Sequence, residues 1–409
     1  MEILYASTLC SESKFDSISS TGMVKPEVSV QKFHLLMVKG FVSNDCHIET
    51  LSPPPVSRSS HARLFWKKEV ENAHGIKFHY LFFINYPFLR QVTIFLSGFF
   101  STIFWILRHP NIDKMILCDI LNVSVSASAL LAARLFRIQV VGIVTDLPRM
   151  IVLPKKRRKS MIEKIAPVIN EMLNNSYSSY VLFSKKMYSY INRDSHPTCF
   201  IEGVVDVNMY TVEPEKDKSF RTIIYAGELG EESGVKFLIE AFRNLKGDDL
   251  RLSIYGSGDL VQEMDLYKKL DNRLYFFGDA SITEIMEATL KATLLVHTPF
   301  TNVEFTKYSF PSKILEYMLS GVPVLSTCLP AMPLDYYDYV YLLKDETLNG
   351  FIKKLAEIVS LPEEKLKLKG KSAREFILRE KNNVNQSRKI LEMVKTECIG
   401  VGQSIFVEN

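Results

Sequence analysis

Residues 304–327 read EFTKYSFPSKILEYMLSGVPVLST. The stretch divides into a loop, a helix start, an amphipathic helix, a tight glycine turn and a buried strand. Ser309 and Pro311 mark the helix start, because proline is tolerated in the first turn, where its missing N–H has no intrahelical acceptor to lose. Ile314, Leu315, Met318 and Leu319 recur at helical spacing, and Gly321 closes the helix. Val322 to Leu325 then forms a short β run. Free backbone N–H groups at such a helix start make an anion site, to which Ser312 and Lys313 add a hydroxyl and an ammonium. Glu316, one turn further in, offers a carboxylate to two adjacent ribose hydroxyls. Phosphate donors beside a ribose acceptor point to a nucleotide-diphosphate site. The plain alternative is an αβ unit with a well-capped helix and a solvated lysine.

The same alternation of strand and helix extends outward in both directions, which places the chain in the α/β class with parallel sheets. In the first half, strands are expected at Ile3–Ala6, Ile48–Leu51, Phe78–Phe83, Met115–Leu117 and Val140–Val144. Helices are expected at Ser29–Gly40, 88–107 and Ser124–Leu135, and residues 11–28 read as a loop. A charged linker with Pro214, Asp206–Phe220, precedes a second series of strands: Arg221–Tyr225, Leu250–Tyr255, Leu274–Phe277, Thr293–His297, Val322–Ser326 and Val340–Leu343. Helices are expected between them near 234–245, 258–269, 282–290 and 311–320. Three more, near 346–358, 362–380 and 383–396, finish the chain. Domains of 1–205 and 206–382 follow, with 383–409 as a closing segment.

At 409 residues the chain can build two separate cores. Fifty basic against 46 acidic residues give a net charge of only +4, which does not suggest nucleic acid as a partner. The six cysteines (Cys10, Cys46, Cys118, Cys199, Cys328, Cys398) contain no Cys-x-x-Cys pair, so buried reduced thiols are expected in preference to a metal site or a disulfide framework. Met1-Glu-Ile-Leu-Tyr5 opens directly into a strand pattern without a secretory signal, and a cytoplasmic site is expected. Gln91–Leu107, QVTIFLSGFFSTIFWIL, carries no charge and lies between Arg90 and Arg108. A buried helix is the first reading, an interfacial helix the second, and a membrane span the last. The basic run Lys155–Lys159 suits either a solvated loop or anionic lipid heads. Together the two segments open a peripheral membrane contact at the inner face of the membrane, which would suit a lipid-linked acceptor.

Phe310-Pro-Ser-Lys313, with Glu316-Tyr-Met318 and Ser320-Gly-Val-Pro-Val324, resembles the nucleotide-sugar site of family 4 retaining glycosyltransferases of the GT-B fold, above all the bacterial capsule and exopolysaccharide members. The resemblance covers most of the chain and is strongest over 221–330. It implies two Rossmann-like domains facing across a cleft, with the closing helix returning to the first domain. It implies that the helix start at Pro311, Ser312 and Lys313 binds the donor diphosphate and that Glu316 binds the ribose. Tyr308 stands where the family often has a glutamate for the sugar hydroxyls, as it does in the capsule-type relatives with Lys-Tyr-Ser-Phe-Pro-Ser-Lys. Lys313, joined by Lys307, would supply the charge at the leaving diphosphate.

Tyr225-Ala-Gly-Glu-Leu-Gly230 is a strand followed by a turn whose Gly227 and Gly230 let a substrate approach the backbone. The family normally adds an Arg and a Lys here, and this chain has Glu228 and Ser233. Leu252–Asp259 ends in a Gly-x-Gly turn, and Leu274-Tyr-Phe-Phe-Gly278 resembles the segment whose backbone faces the nucleobase. Thr298 and Pro299 fall on the donor-pocket wall, and His297 reads as a packed strand-end residue. In the first domain, Cys118-Asp119-Ile-Leu-Asn122 and Gly142-Ile-Val-Thr-Asp146-Leu-Pro148 place Asp119 and Asp146 at strand ends, where a ligand-facing residue belongs. Asp146, preceded by Thr145 where many relatives have a histidine, could orient the acceptor hydroxyl or contact the donor sugar; capping its own turn is the bland alternative. Glu202-Gly203 resembles the family's domain-junction motif and is read on the acceptor side.

The expected activity is sugar transfer, with retention, from a nucleotide-diphosphate sugar to a glycan or lipid-linked acceptor in cell-surface polysaccharide synthesis. Asp146 and Lys313 are its expected catalytic residues. No cofactor is expected beyond the nucleotide sugar as co-substrate, and no metal, since there is no Asp-x-Asp motif. A non-catalytic GT-B partner subunit and a GT-B sugar-nucleotide epimerase are the alternatives. A dinucleotide dehydrogenase is not expected, because no Gly-x-Gly-x-x-Gly follows the first strand.

Overall fold

A computed structural model describes the chain apart from residues 25, 27, 111, 148–160, 193, 208, 211–219 and 400–409. The basic run Lys155–Lys159, Pro148 and most of the expected linker, Pro214 included, lie outside the described residues. The chain divides into two compact units, one of Met1–Val204 with Asn383–Asn409 and one of Val205–Asn382.

Unit 1 runs through β1 (Glu2–Ala6), α1 (Glu12–Thr21), α2 (Val28–Val42), β2 (His47–Ser52), β3 (Phe65–Trp66), β4 (Glu69–Ala73), β5 (Ile76–Tyr80) and β6 (Phe83–Ile84). It continues through α3 (Leu89–Arg108), β7 (Lys114–Asp119), α4 (Val123–Leu135), β8 (Gln139–Val144), α5 (Met161–Leu173), β9 (Ser179–Leu182), α6 (Tyr188–Ile191) and β10 (Thr198–Phe200). Its main sheet has the order β10-β9-β8-β7-β1-β2-β5-β4, parallel except for β4 against β5, and β3 pairs with β6 in a separate ribbon. The central strands are buried on both faces, as parallel strands covered by helices require.

Three expectations fail here. The expected strand Phe78–Phe83 is broken: β5 ends at Tyr80, and Phe83 begins β6 in the separate ribbon. Residues 11–28 are not simply a loop, because α1 forms within them. Ser11 caps it by accepting the Lys14 N–H at 3.0 Å, and only Ile18 is buried, so apolar periodicity gave no signal. Nor is α3, which contains the uncharged 91–107, a buried helix. Ile94, Gly98, Thr102, Trp105 and Ile106 face inward, while Val92, Leu96, Phe100, Phe104 and Leu107 are exposed.

Unit 2 contains β11 (Arg221–Ala226), α7 (Val235–Arg243), β12 (Leu250–Tyr255), α8 (Met264–Leu270), β13 (Leu274–Gly278), α9 (Ile282–Lys291), β14 (Leu294–His297), α10 (Ser312–Leu319), β15 (Val324–Thr327), β16 (Tyr341–Leu343), α11 (Leu348–Val359) and α12 (Glu363–Glu380). Its sheet is wholly parallel, in the order β13-β12-β11-β14-β15-β16. Counted from β11, this is the doubly wound order of a Rossmann sheet. Alternate residues of β11 enter opposite cores: Ile223 and Tyr225 pack with α7 and α11, Ile224 and Ala226 with α10 and α12. The last helix, α13 (Asn383–Ile399), belongs to unit 1 and lies on α2, where the Asn44 amide donates to Val384 O and Ser387 Oγ, each at 2.9 Å.

Candidate functional site

The winding of the unit 2 sheet reverses between β11 and β14, and open α/β sheets hold ligands outside the strand ends at such a point. β11 ends at Ala226 and continues into Gly227–Gly230; β14 ends at His297 and continues into Thr298 and Pro299. Two contacts fix this frame. Thr327 Oγ1 donates to Pro299 O at 2.7 Å. Gly234 has φ +72, and a Cβ there would fall 2.0 Å from Thr298 O, so only glycine lets α7 start against the end of β14.

α10 supplies the polar groups. Pro311 is its N-cap in an extended conformation, and no side chain among the described residues caps its first turn, which leaves N–H groups at Ser312 and Lys313. Lys313, Glu316 and Tyr317, at i, i+3 and i+4, share one face of the helix. The Lys313 ammonium donates to the Ala226 carbonyl. Tyr317 Oη accepts the Ala226 N–H at 3.1 Å and donates to Ala226 O at 3.3 Å. The turn at Gly227 lies against the side chains of Tyr225 and Lys313, a Cβ there falling 3.1 Å from Tyr225 Oη and 3.4 Å from Lys313 Nζ. These three α10 residues and Ala226 line a cavity of about 200 Å³, whose other walls are Met209 and Tyr210, and Ile282, Ile285, Met286 and Thr289 of α9. α9 is fixed at its start by a Ser281–Glu284 capping box.

Among the described residues that line the cavity, Lys313 is the only cation, and burial pushes its ammonium below the ordinary lysine range, against the opposing pull of Glu316. His297 is pushed down to about 3, first by burial and then by the charge of Lys313, so its imidazole is neutral near pH 7. Its Nδ1 and the Thr298 hydroxyl are buried without a hydrogen-bond partner among the described residues. Burial, and then Glu316, raise the Tyr210 phenol above its usual range.

The sequence candidates separate into groups. Gly227, Thr298, Pro299, Ser312, Lys313 and Glu316 converge at the ends of β11 and β14 and the start of α10. Gly230 lies in the same loop, and its carbonyl accepts from Ser233 Oγ at 2.6 Å. Gly278 ends β13, where its carbonyl accepts from Gly256 N at 2.8 Å. Phe310 is 3% exposed with its ring 4.8 Å from Tyr336, so its side chain anchors the loop in the core and only its backbone is left for a ligand. Tyr308 lies in the loop before α10, with its N–H bonded to Phe305 O at 3.0 Å. Lys307 lies in the same loop, exposed and ion-paired with Glu304 at 2.6 Å.

Tyr317, Tyr210, Met209 and the α9 residues were not singled out from the sequence. Tyr317 was signalled by its i+4 spacing from Lys313. The α9 residues look like ordinary core positions, and Met209 and Tyr210 sit in the linker.

In unit 1, Asp119 ends β7 at the corresponding switch point beside β1, and it is 2% exposed. Oδ2 lies 3.1 Å from His34 Nε2 and also accepts from the Asn122 amide, Oδ1 accepts the Leu121 N–H at 3.2 Å, and His34 Nδ1 lies 2.7 Å from Tyr5 Oη. This carboxylate is therefore tied into a buried network that joins β1, α2 and the start of α4. Asp146 is exposed, just beyond β8, and Thr145 precedes it. Glu202 is buried beyond β10, two residues before the unit boundary. Cys10, Cys46, Cys118, Cys199 and Cys328 are free thiols.

Residues 220–360, about a third of the chain, match the family model described as glycosyl transferases group 1. No curated protein matches the sequence. Among solved structures, the chain is similar to sucrose-phosphate synthase from Thermosynechococcus elongatus, with TM-score 0.64, 11% identity, and 98% of this chain and 99% of that chain covered. It is also similar to the lipopolysaccharide outer core galactosyltransferase WaaB (TM-score 0.60, 14% identity, 97% and 100% covered). A third is HepE of Anabaena in complex with UDP and glucose (TM-score 0.59, 15% identity, 97% and 100% covered). The chain thus has the GT-B fold, two Rossmann-like units, and its residues 220–360 carry a group 1 glycosyl transferase domain.

Proposed function

We propose that the chain is a retaining hexosyltransferase that takes a sugar from a nucleotide-diphosphate donor held in unit 2. The observation that carries this reading is the convergence of Lys313, Glu316 and Tyr317 on the end of β11 around one cavity, at the switch point of the sheet. Glu316 accepts from the ribose hydroxyls. Gly227 and the N–H groups of Ser312 and Lys313 receive the diphosphate, with Thr298 and Pro299 closing the wall. The bond from the sugar's anomeric carbon to the diphosphate oxygen breaks, and negative charge grows on the leaving group. The Lys313 ammonium and the start of α10 stabilise that charge more in the transition state than in the bound donor. The acceptor hydroxyl forms the new bond on the same face and gives its proton to the departing phosphate oxygen, so configuration is retained without a separate strong base. Asp146 orients the acceptor, with Asp119 and Glu202 on the same side.

The donor is the co-substrate and no further cofactor takes part. The acceptor is a glycan or lipid-linked glycan of cell-surface polysaccharide synthesis, handled on the cytoplasmic side. Two neighbours support the donor class: HepE of Anabaena is found in complex with UDP-glucose, and WaaB is a galactosyltransferase. The test is to incubate the protein with a panel of nucleotide sugars and measure release of nucleoside diphosphate, with and without glycan acceptors. Release from one donor, lost in Lys313→Ala, is the expected outcome.

A second reading is favoured by one observation. Glu228 and Ser233 stand where the family pattern has cations, and Ser233 is turned onto Gly230 O. A GT-B subunit that binds no donor and supports an active partner would tolerate that loss, and release from no donor would select it.

A further inference from the structure

α3 is the most unusual surface element of unit 1. Its outward face repeats apolar residues every three or four positions, Val92, Leu96, Phe100, Phe104 and Leu107, without a polar side chain among them. Phe100 is 65% exposed, Phe104 51% and Leu107 59%. α4 packs beside α3, with Gly98 so near Ser128 that a Cβ would fall 2.3 Å from its hydroxyl, and α4 in turn exposes Leu131 and Leu135. Exposed apolar side chains gathered on one helix face in this way mark a place of interaction.

The charges around it point to the occupant. Neither α3 nor α4 contains an acidic residue, while Arg108 closes α3 and Arg134 and Arg137 lie at the end of α4. The Arg108 guanidinium stacks 4.0 Å from the Phe104 ring, and Lys68 donates to Ser101 of α3 at 3.3 Å. Lys68 and Arg108 flank a cavity of about 170 Å³ beside Phe104 and Trp105. Trp105 is 4% exposed, and its indole N–H is buried without a partner among the described residues. Glu49 also lines this cavity, but His79 at 2.5 Å and Lys77 at 3.4 Å already engage its carboxylate. Phenylalanines that would enter an acyl layer therefore sit directly beside cations that would meet lipid phosphates.

We propose that α3 lies in the plane of a bilayer surface containing anionic lipids, with Phe100, Phe104 and Leu107 at the acyl boundary and Lys68 and Arg108 at the headgroups. A span is the wrong geometry, because the inward face of α3 is already packed in unit 1 through Ile94, Gly98 and Trp105. The inference goes beyond the donor site and stands without it.

The test is co-sedimentation of the full chain with vesicles of phosphatidylcholine alone, and of equal parts phosphatidylcholine and phosphatidylglycerol. The wild type should pellet with the mixed vesicles and less with the neutral ones. Phe100→Asp with Phe104→Asp should weaken partitioning by about tenfold or more. Lys68→Gln with Arg108→Gln should remove the preference for anionic lipid. Both double variants change exposed side chains, and a circular dichroism spectrum like the wild type's establishes that they fold. Wild type that stays in solution with both vesicles overturns the proposal, as does a folded Phe100/Phe104 variant that pellets unchanged. A wild-type dimer that these substitutions split, without vesicle binding, would assign the face to a second copy. Protein that remains with the vesicles in alkaline carbonate would mean a span.

Discussion

At the scale of single residues, the site depends on buried groups whose ordinary ionisation is opposed. His297 has a folded-state pKa of about 3 against an ordinary value of 6.5, because burial and the neighbouring Lys313 charge both disfavour the imidazolium. As pH falls, the unfolded chain takes up this proton before the folded one. The stability it contributes is therefore complete above 6.5 and is lost as pH falls towards about 3, with a slope of about 1.4 kcal/mol per pH unit. Urea unfolding followed from about pH 7 to about pH 4 should show this loss, and His297→Asn should flatten it. Tyr317→Phe removes the hydroxyl that joins both polar groups of Ala226, and is expected to destabilise unit 2 by about 1–2 kcal/mol in the same measurement. The key residues Lys313 and Glu316 were legible because their types and spacing carry chemistry directly. The partner of Lys307, Glu304, was not legible, because a cation near a motif does not disclose its own ion pair. Tyr210 was hidden because nothing local marks a linker tyrosine as the wall of a distant helix's cavity.

At the scale of elements, periodicity located the central parallel strands, since doubly buried strands form continuous apolar runs, but the parallel strands β9 and β10 towards the sheet edge were not among those expected. α1 was missed for the converse reason: a helix with one buried residue leaves no stripe to read. For α3 the length and the uncharged 91–107 were legible but the environment was not, because a core helix and an interfacial helix share both. What separates them is the neighbour on the outward side, and that is a tertiary fact. Close approach between elements leads to a further prediction. Gly40 of α2 meets α13 so tightly that a Cβ would lie 2.2 Å from Asn383 O. Gly40→Ala must push α13 away and should lower unit 1 stability by about 1–3 kcal/mol in thermal or urea unfolding. Equal stability in the variant would mean that α13 yields without loss.

At the scale of the molecule, two sheets of the same winding build two units, and each unit's switch point holds polar residues at strand ends. Their contents differ in kind. The unit 2 point gathers a cation, a carboxylate and helix N–H groups around a cavity, whereas in unit 1 the switch-point carboxylate Asp119 is already bonded within the protein. That asymmetry is the ground for proposing donor chemistry in unit 2, and the apolar face of α3 is the ground for proposing a separate task for unit 1. The most direct measurement is calorimetric titration of the full chain with nucleoside diphosphates of each base, on wild type, Lys313→Ala and Glu316→Ala. Binding of one equivalent of one nucleotide is expected, weakened about tenfold or more by each substitution, as loss of a charge-assisted hydrogen bond requires. A folded wild type that binds none of them, or variants that bind as the wild type does, would contradict the donor site.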